Sequence, residues 1–228
     1  GNEIAFVTIG DASTSEGIFW ETINAAGVLQ VPLAVSVWDD GYGISVPKKF
    51  QTTKESISEV LAGFRADDAN DTNGIDIYLG KAWDYPGLCQ LYRESTDLMR
   101  VNHRAALFHI QEVTQQLGHS TSGDHRRYKT PERLEFEEKF DCNRRMAEWM
   151  LASGLASESE IEQIKSEAKK EATEAAQRAF RAYHAKVATL KTELFGLLQD
   201  IQSVQTQGVI SEMMTEFNQK REPLRYEL

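Results

Sequence analysis

Cysteine and long apolar runs are both scarce in this chain of 228 residues. The only cysteines, Cys89 and Cys142, lie far apart and lack the spacing of metal ligands, so we expect reduced thiols rather than a disulfide or a zinc site. No stretch approaches the roughly 18 apolar residues that a transmembrane helix needs. Internal repeats and low-complexity segments are also absent. The sequence therefore predicts no membrane-spanning helix.

An excess of positive charge is missing as well. Lysine and arginine number 25 against 35 aspartates and glutamates, which gives a net charge of −10. A chain this acidic is poorly suited to binding nucleic acid. With 41% hydrophobic residues, it is long enough for one core domain and an extension. We expect a soluble, cytoplasmic protein that binds neither nucleic acid nor a membrane.

The N-terminal part of the chain has the pattern of a strand, a helix and a second strand. The segment IAFVTI (4–9) is apolar and rich in β-branched residues, as a buried parallel strand would be, and it stops at Gly10. Apolar residues recur at helical spacing from Glu16, with Ser15 placed to cap the helix. The segment PLAVSVW (32–38) is a second buried strand. A right-handed crossover of this length makes the two strands parallel neighbours, which predicts an α/β fold with a parallel sheet.

Acidic residues follow both predicted strands directly. Asp11 comes after the first strand, and Asp39 and Asp40 come after the second. Because parallel strands end at the same edge of a sheet, these side chains converge at its carboxyl edge, where open α/β folds bind ligands. Carboxylates gathered there repel one another unless a cation lies between them, and oxygen ligands suit magnesium. The alternative is that the three acids only form glycine-rich turns.

The spacing of these acids resembles a known cofactor motif. Gly-Asp at 10–11, followed by DDGYG at 39–43, resembles the GDG…NN motif of thiamine diphosphate enzymes. More closely, TSEGIFWETINAAGVLQVPLAVSVWDDGYGIS (14–45) looks like the alpha part of the thiamine diphosphate-dependent 2-oxo acid dehydrogenases of pyruvate or branched-chain type, their decarboxylating component. The resemblance implies that magnesium is held by Asp11, Asp40 and the backbone carbonyl of Tyr42.

The chain departs from the motif in two places. Ala12 replaces the last glycine of GDG, where a backbone with positive φ would disfavour alanine. Ala12 and Ser13 can still offer backbone N–H groups to a phosphate. Asp39 and Asp40 replace the asparagine pair, which adds negative charge beside an anionic diphosphate. The site should therefore contain a compensating positive charge.

A polar loop after the predicted strand AALFHIQEV (105–113) should return to the same edge of the sheet. Its segment LGHSTSGDHRRYKT (117–130) is similar to the GHS loop of the family, which implies that His119 contacts the diphosphate and assists acyl transfer to lipoamide. Positions 119–133 are locally basic and could compensate the extra aspartate, although a solvated loop is the alternative. The implied cofactor-binding residues are Gly10, Asp11, Ala12, Ser13, Asp40, Tyr42 and His119.

The rest of the chain is expected to be mainly helical. An amphipathic helix is predicted at 54–66, a short strand at 74–80, and a helix that Asp84 caps and that runs towards His103. We divide the chain into a cofactor-binding α/β domain at 1–130, incomplete at its N-terminus, and a helical extension at 131–228. The extension contains an apolar seam that could pack within the chain or contact a partner, formed by Leu190, Leu194, Leu197, Ile201 and Val204.

The resemblance implies an enzyme that decarboxylates a 2-oxo acid with thiamine diphosphate and magnesium and passes the acyl group to lipoamide. It also implies two partners: a beta part, separate or fused, and a lipoyl-bearing acyltransferase. Because the chain opens on a core strand without an initiating methionine, we expect a fragment that is inactive alone. The alternatives are a non-catalytic assembly scaffold with a degenerate cofactor site and another thiamine diphosphate enzyme of transketolase-like type.

Overall fold

The computed structural model describes residues 2–68, 72–120, 124–204 and 208–219. The strands, numbered in chain order, are Ala5–Gly10 (β1), Leu33–Trp38 (β2), Tyr42–Gly43 (β3), Val46–Pro47 (β4), Asp76–Lys81 (β5) and Ala106–Gln111 (β6). The α-helices are Gly17–Leu29 (α1), Ile57–Val60 (α2), Tyr85–Asn102 (α3), Pro131–Lys139 (α4), Cys142–Ala152 (α5), Glu158–Val204 (α6) and Gly208–Gln219 (α7).

A four-stranded parallel sheet organises the N-terminal unit, in the spatial order β1-β2-β6-β5. The first two strands are parallel neighbours from Ala5 opposite Leu33 to Gly10 opposite Trp38, with α1 as the connection between them. This confirms the predicted crossover and the α/β fold class. It also places the ends of β1 and β2 at one edge of the sheet, as the sequence predicted. The predicted burial of β1 is wrong, because β1 is the edge strand of the sheet and Phe6 and Val7 are exposed.

The sheet is covered by helices on its two faces. One core cluster joins apolar residues of α1, such as Phe19 and Ile23, to Val35 and Val37 of β2. The other is built around Phe108 of β6, whose ring stacks on Tyr92 of α3 with centroids 4.4 Å apart. Strands buried on both faces read as continuous apolar runs, which explains why β2 and β6 were recognisable from sequence.

The predicted start of α1 was wrong. Ser15 does not cap the helix, because its hydroxyl donates to the carbonyl of Gln51 (3.3 Å). The chain instead forms a 3₁₀ turn at Ala12–Ser15, which Thr14 secures by donating its hydroxyl to the carbonyl of Asp11 (2.6 Å). Glu16 is the N-cap residue of α1, without a side-chain capping bond.

The predicted amphipathic helix at 54–66 is also wrong in extent. Lys54 and Glu55 have left-handed backbones, with φ of 64° and 53°, so a regular helix cannot start there. The α-helix is the single turn α2, followed by a 3₁₀ turn at Leu61–Phe64. In contrast, the predicted cap of α3 is confirmed, since Asp84 accepts from the N–H of Gly87 (3.1 Å).

The chain divides into two compact units, Gly1–Ala156 and Ser157–Leu228. The boundary at residue 130 that we proposed from sequence lies within the first of these, and it stays a prediction. In the first unit, α4 and α5 pack near the sheet, with the ring of Phe140 5.0 Å from that of Trp83 and the ring of Trp149 5.4 Å from that of Tyr85.

The second unit consists of α6 and α7. The 47 residues of α6 make a helix about 70 Å long at about 1.5 Å per residue. Phe217 of α7 is buried, and the Lys191 ammonium lies 5.4 Å from its ring centroid. Leu190, Leu197 and Ile201 of the predicted seam are exposed, so the partner contact stays a prediction. In the part of the chain that the structure describes, no helix is long and apolar enough to cross a membrane.

Candidate functional site

Each of three neighbouring strands ends at an acidic residue on the same edge of the sheet. Asp11 follows β1, Asp39 follows β2, and Glu112 follows β6 after Gln111. The backbone keeps the ends in register, since the N–H of Asp11 donates to the carbonyl of Trp38 (3.1 Å). The predicted convergence of acids is therefore present at the carboxyl edge.

A cleft of about 440 Å³ opens at this edge. It is lined by all seven residues that the sequence had singled out for the cofactor, Gly10, Asp11, Ala12, Ser13, Asp40, Tyr42 and His119. Its other walls come from Trp38, Gly43, Ile44 and residues 113–115. The structure thus brings together side chains from the ends of β1 and β2 and from the loop after β6.

Asp11 is buried and incompletely paired. Its Oδ2 atom has no hydrogen-bond partner among the residues that the structure describes, and the side chain is almost inaccessible to solvent. Burial, together with the neighbouring carboxylates of Asp39 and Asp40, raises its pKa from 3.8 to about 7. A buried carboxylate without a partner is costly, and a cation at Oδ2 would remove that cost.

Asp40 faces the same cleft and is held by the backbone of the turn. Its Oδ1 accepts from the N–H of Tyr42 (2.9 Å). Burial raises the pKa of Asp40, and the N–H of Tyr42 and the cations Lys129 and Arg133 only partly offset this effect. Two carboxylates with raised pKa values, a buried one and a half-buried one, therefore share one cleft, an arrangement that favours a bound cation.

Asp39 has a different environment from its neighbour in sequence. It is 3% exposed and does not line the cleft of Asp11 and His119, although it lines an adjoining cleft of about 340 Å³ together with Asp40 and Lys48. Its Oδ2 accepts from the Lys48 ammonium (2.8 Å) and from Nε2 of His109 (2.9 Å), and its Oδ1 accepts from the N–H of Gly41 (2.9 Å). Burial acts to raise its pKa, but the bonds from His109 and Lys48 outweigh burial and lower it. Asp39 is therefore an ionised, fully paired side chain.

Three of the six basic residues at positions 119–133 are paired with acids of this chain other than Asp39, which corrects the expectation that this stretch compensates Asp39. Lys129 is buried against Glu137, with Nζ 2.7 and 2.8 Å from its two carboxylate oxygens. Arg126 pairs with Asp124 (2.9 Å). The compensating cation for Asp39 is Lys48, which precedes this loop by about 70 positions in the printed sequence.

Arg133 links α4 to the edge of the sheet. Its Nη2 donates to the carbonyls of Asp40 (2.9 Å) and Val113 (3.0 Å), and its Nε donates to Glu137 (2.8 Å). The Tyr42 ring lies beneath the same cation, with its centroid 5.9 Å away. Arg133 of α4 therefore supports the turn of Asp40 and Tyr42 without lining the cleft itself.

Ala12 adopts a backbone that suits alanine. It belongs to the 3₁₀ turn at Ala12–Ser15 and is not among the described residues with positive φ. The loss of the motif glycine therefore introduces no strain at this position. His119 is exposed and lines the cleft, and Ser120 beside it is also exposed. Residues 121–123 lie outside the described part of the chain.

Ile44 is a site residue that the sequence did not reveal. Its backbone is left-handed, with φ of 59°, which is rare for a β-branched residue. Its side chain is 60% exposed and lines the cleft. Backbone strain of this kind often occurs at ligand sites, which makes Ile44 a candidate contact for an apolar part of a ligand. The only signal in the sequence was an isoleucine directly after the glycine-rich turn.

Three other residues near the site could not be identified from spacing alone. Lys48 and His109 contact Asp39, and Glu137 anchors Lys129 and Arg133. His109 lies fully buried in β6. In the described ranges, no group of three or more His, Cys, Asp or Glu side chains could hold a metal ion. A metal in the cleft would accordingly need ligands of other kinds, such as backbone carbonyls.

Comparisons with known proteins identify the family of this chain. The family model of the dehydrogenase E1 component matches residues 1–77 and 106–188. The chain is 27% identical over 169 residues to the 3-methyl-2-oxobutanoate dehydrogenase subunit alpha of Mycobacterium tuberculosis, covering 74% of this chain and 43% of the relative. It is 25% identical over 172 residues to the pyruvate dehydrogenase E1 component subunit alpha of Staphylococcus aureus, covering 74% and 43%.

A third relative is the mitochondrial 2-oxoisovalerate dehydrogenase subunit alpha 1 of Arabidopsis thaliana, at 24% identity over 175 residues, which covers 75% of this chain and 34% of the relative. The chain thus spans less than half the length of the curated relatives that it matches. The family match includes β1, α1, β2, β6 and the loop with His119, so it covers every element that lines the cleft.

Proposed function

The chain belongs to the dehydrogenase E1 component family, and on this premise we propose that it supplies the magnesium and diphosphate part of a thiamine diphosphate site in a 2-oxo acid dehydrogenase. The observation that supports this proposal most directly is the single cleft that collects Asp11, Asp40, Tyr42 and His119. These residues come from three separate parts of the chain, and a purely structural role would not require them to face the same space.

The residues present fit a magnesium ion. Asp11 offers a buried carboxylate oxygen without a partner, and Asp40 offers a second carboxylate in the same cleft. Together with the Tyr42 carbonyl they provide three oxygen ligands, and magnesium usually completes its shell with phosphate oxygens and water. A divalent cation there would also reverse the rise in the pKa of Asp11 by favouring its charged form.

The other cleft residues fit a diphosphate. Gly10, Ala12 and Ser13 form the wall next to Asp11, and we propose that this segment contacts the phosphate oxygens. His119 faces them from the loop and can donate a hydrogen bond to an anion. Because Lys48 neutralises Asp39, the paired aspartates place less net charge beside the diphosphate than the sequence suggests.

When bound, thiamine diphosphate supplies the nucleophilic carbon and the electron sink for decarboxylation of a 2-oxo acid. The residues of this chain hold and orient it through magnesium, and His119 assists transfer of the acyl group to the lipoyl group of an acyltransferase. The substrate class is that of the relatives, pyruvate or a branched-chain 2-oxo acid. We assign no general base to this chain and propose that a beta part, separate or fused, completes the site.

The decisive experiment measures cofactor binding to the complete enzyme by calorimetry. We expect thiamine diphosphate to bind with magnesium and to lose its affinity when a chelator removes the metal. The loaded enzyme should then release carbon dioxide from pyruvate or a branched-chain 2-oxo acid, and His119→Ala should slow reductive acylation of lipoamide more than decarboxylation. Absence of magnesium-dependent binding would support the non-catalytic scaffold instead, and activity on ketose donors would support a transketolase-like enzyme.

Replacing Ile44 should separate stability from binding. Ile44→Gly removes the strain of a β-branched residue with a left-handed backbone. We therefore expect the free energy of unfolding to be unchanged or raised by about 1 kcal/mol. The same change removes an apolar wall of the cleft and should weaken thiamine diphosphate binding. The matched control is His103→Gly, since His103 ends α3 with φ of 52° away from the cleft and should gain stability without a change in affinity. Equal affinities in both variants would exclude a ligand contact for Ile44.

A further inference from the structure

The Asp39 carboxylate is held by three different parts of the fold. His109 reaches it from the centre of the sheet, Lys48 from the segment after β4, and Gly41 from the turn itself. A carboxylate can only accept, so Nε2 of His109 donates to it. Both oxygens of Asp39 are thereby occupied by donors of this chain, and the residue does not line the cleft of Asp11 and His119.

His109 is fixed in turn by its second ring nitrogen. Nδ1 lies 2.8 Å from the hydroxyl of Ser58 in α2, and the ring is fully buried. Ser56 extends this chain of contacts, with its hydroxyl 3.2 Å from that of Ser58. The partner of Asp39 on the sheet side is therefore rigid, and the position of the carboxylate is determined before any ligand binds.

Lys48 contacts the same turn twice. Its ammonium bonds Asp39 (2.8 Å), and its backbone N–H donates to the carbonyl of Gly41 (2.9 Å). The carbonyl of Lys48 then accepts from the N–H groups of Gln51 (2.9 Å) and Thr52 (2.8 Å), which secures the segment behind it. Tyr42 lies between these attachment points, and Asp40 is bonded to its N–H.

The two aspartates of the pair therefore have distinct environments. We propose that Lys48 is a positioning residue of the cofactor site, which holds the Asp39 carboxylate out of the cleft of Asp11 and His119 and offsets its charge, so that of the two paired aspartates only Asp40 is a ligand of the magnesium ion. Without the Lys48 ammonium, the charge of the Asp39 carboxylate would be uncompensated near Asp11, Asp40 and the diphosphate. This inference rests on the proposed function. It identifies Lys48 as the group that allows Asp39 and Asp40 to replace the asparagine pair of the cofactor motif.

A double-mutant cycle in the complete enzyme tests this role. The four proteins are the wild type, Lys48→Met, Asp39→Asn and the double variant, and the measurement is the affinity for thiamine diphosphate at saturating magnesium. Lys48→Met should weaken binding about 10- to 100-fold, the range for loss of an outer contact of a metal site, because the charge of Asp39 is then left uncompensated beside the diphosphate. In the Asp39→Asn background the same change should alter affinity by less than about twofold, because no charge remains to be cancelled. Lys48→Arg keeps the charge and should largely restore the wild-type affinity.

The outcomes separate this inference from the function on which it rests. Thermal unfolding identifies any variant that fails to fold, and Lys48→Arg and the double variant then serve as the comparison. If Lys48→Met weakens binding equally in both backgrounds, or not at all, Lys48 does not act through Asp39 and the inference is wrong. If the wild type itself shows no magnesium-dependent binding, the proposed function fails and this positioning role fails with it.

Discussion

Asp40→Ala will reduce the magnesium-dependent affinity of the complete enzyme for thiamine diphosphate by about 100-fold or more, because it removes a direct oxygen ligand and not a supporting contact. The carboxylate lines the cleft together with Asp11, whose Oδ2 is buried and has no partner among the described residues. Losing one of two carboxylates should leave too few protein oxygens to hold the cation. Titration with magnesium at fixed cofactor measures the effect.

Two matched variants define the register of the aspartate pair. Asp40→Asn keeps an oxygen that can bind the metal and accept from the N–H of Tyr42, so it should retain most of the affinity. Asp39→Asn should change affinity by less than about threefold, since this side chain bonds Lys48 and His109 and not the cleft. Equal losses from Asp40→Ala and Asp39→Asn would mean that the ligand assignment is wrong by one position.

Asp11→Asn will stabilise the metal-free protein at alkaline pH. The pKa of Asp11 is raised from 3.8 to about 7 by burial and by the nearby carboxylates Asp39 and Asp40. A carboxyl with a raised pKa in the folded state contributes stability below its unfolded pKa, and this contribution is lost as the pH rises through the folded value. At pH 8 the ionised side chain therefore costs up to about 4 kcal/mol, which asparagine avoids.

Thermal unfolding at two pH values, with and without ligands, checks this prediction. Without magnesium, the gain in melting temperature for Asp11→Asn should be large at pH 8 and much smaller at pH 5, where the folded wild-type carboxyl is protonated. With magnesium and thiamine diphosphate bound, the wild type should have the higher melting temperature of the two proteins, because only its Asp11 carboxylate gains the contact with the metal. A gain that is independent of pH would show that the ionisation of Asp11 is not its cause.

The sheet and its acidic edge could be predicted from sequence because their signals are local. β1 and β2 are continuous apolar runs joined by a helix of ordinary crossover length, which makes them parallel neighbours. Since parallel strands end at the same edge, Asp11 and Asp39, which follow them, lie at that edge. Turn and cap details were less predictable. Serine is a common N-cap residue, but the hydroxyl of Ser15 bonds the distant carbonyl of Gln51 instead of the helix. The local turn is held by Thr14, whose hydroxyl bonds the carbonyl of Asp11.

The supporting residues could not be predicted because their partners are distant in sequence. His109 contacts Asp39 across a separation of 70 residues, and nothing in the spacing of either residue indicates the pair. The basic patch illustrates the opposite error. Its composition suggested cations free to face a diphosphate, whereas Lys129 and Arg133 are paired with Glu137, which lies just beyond the stretch considered. Composition gives the charges of a segment but not their partners.

The bond from Lys129 to the carbonyl of Gln115 (3.0 Å) closes the chain into a loop whose base is fixed. His119 lies only four residues beyond that base, so a fully extended chain could carry it no more than about 14 Å away. A tether this short keeps the imidazole at a high local concentration beside the cleft in every conformation of the loop. The buried ammonium of Lys129 therefore limits the reach of His119 without touching the histidine, through its bond to Gln115 in the wall of the cleft.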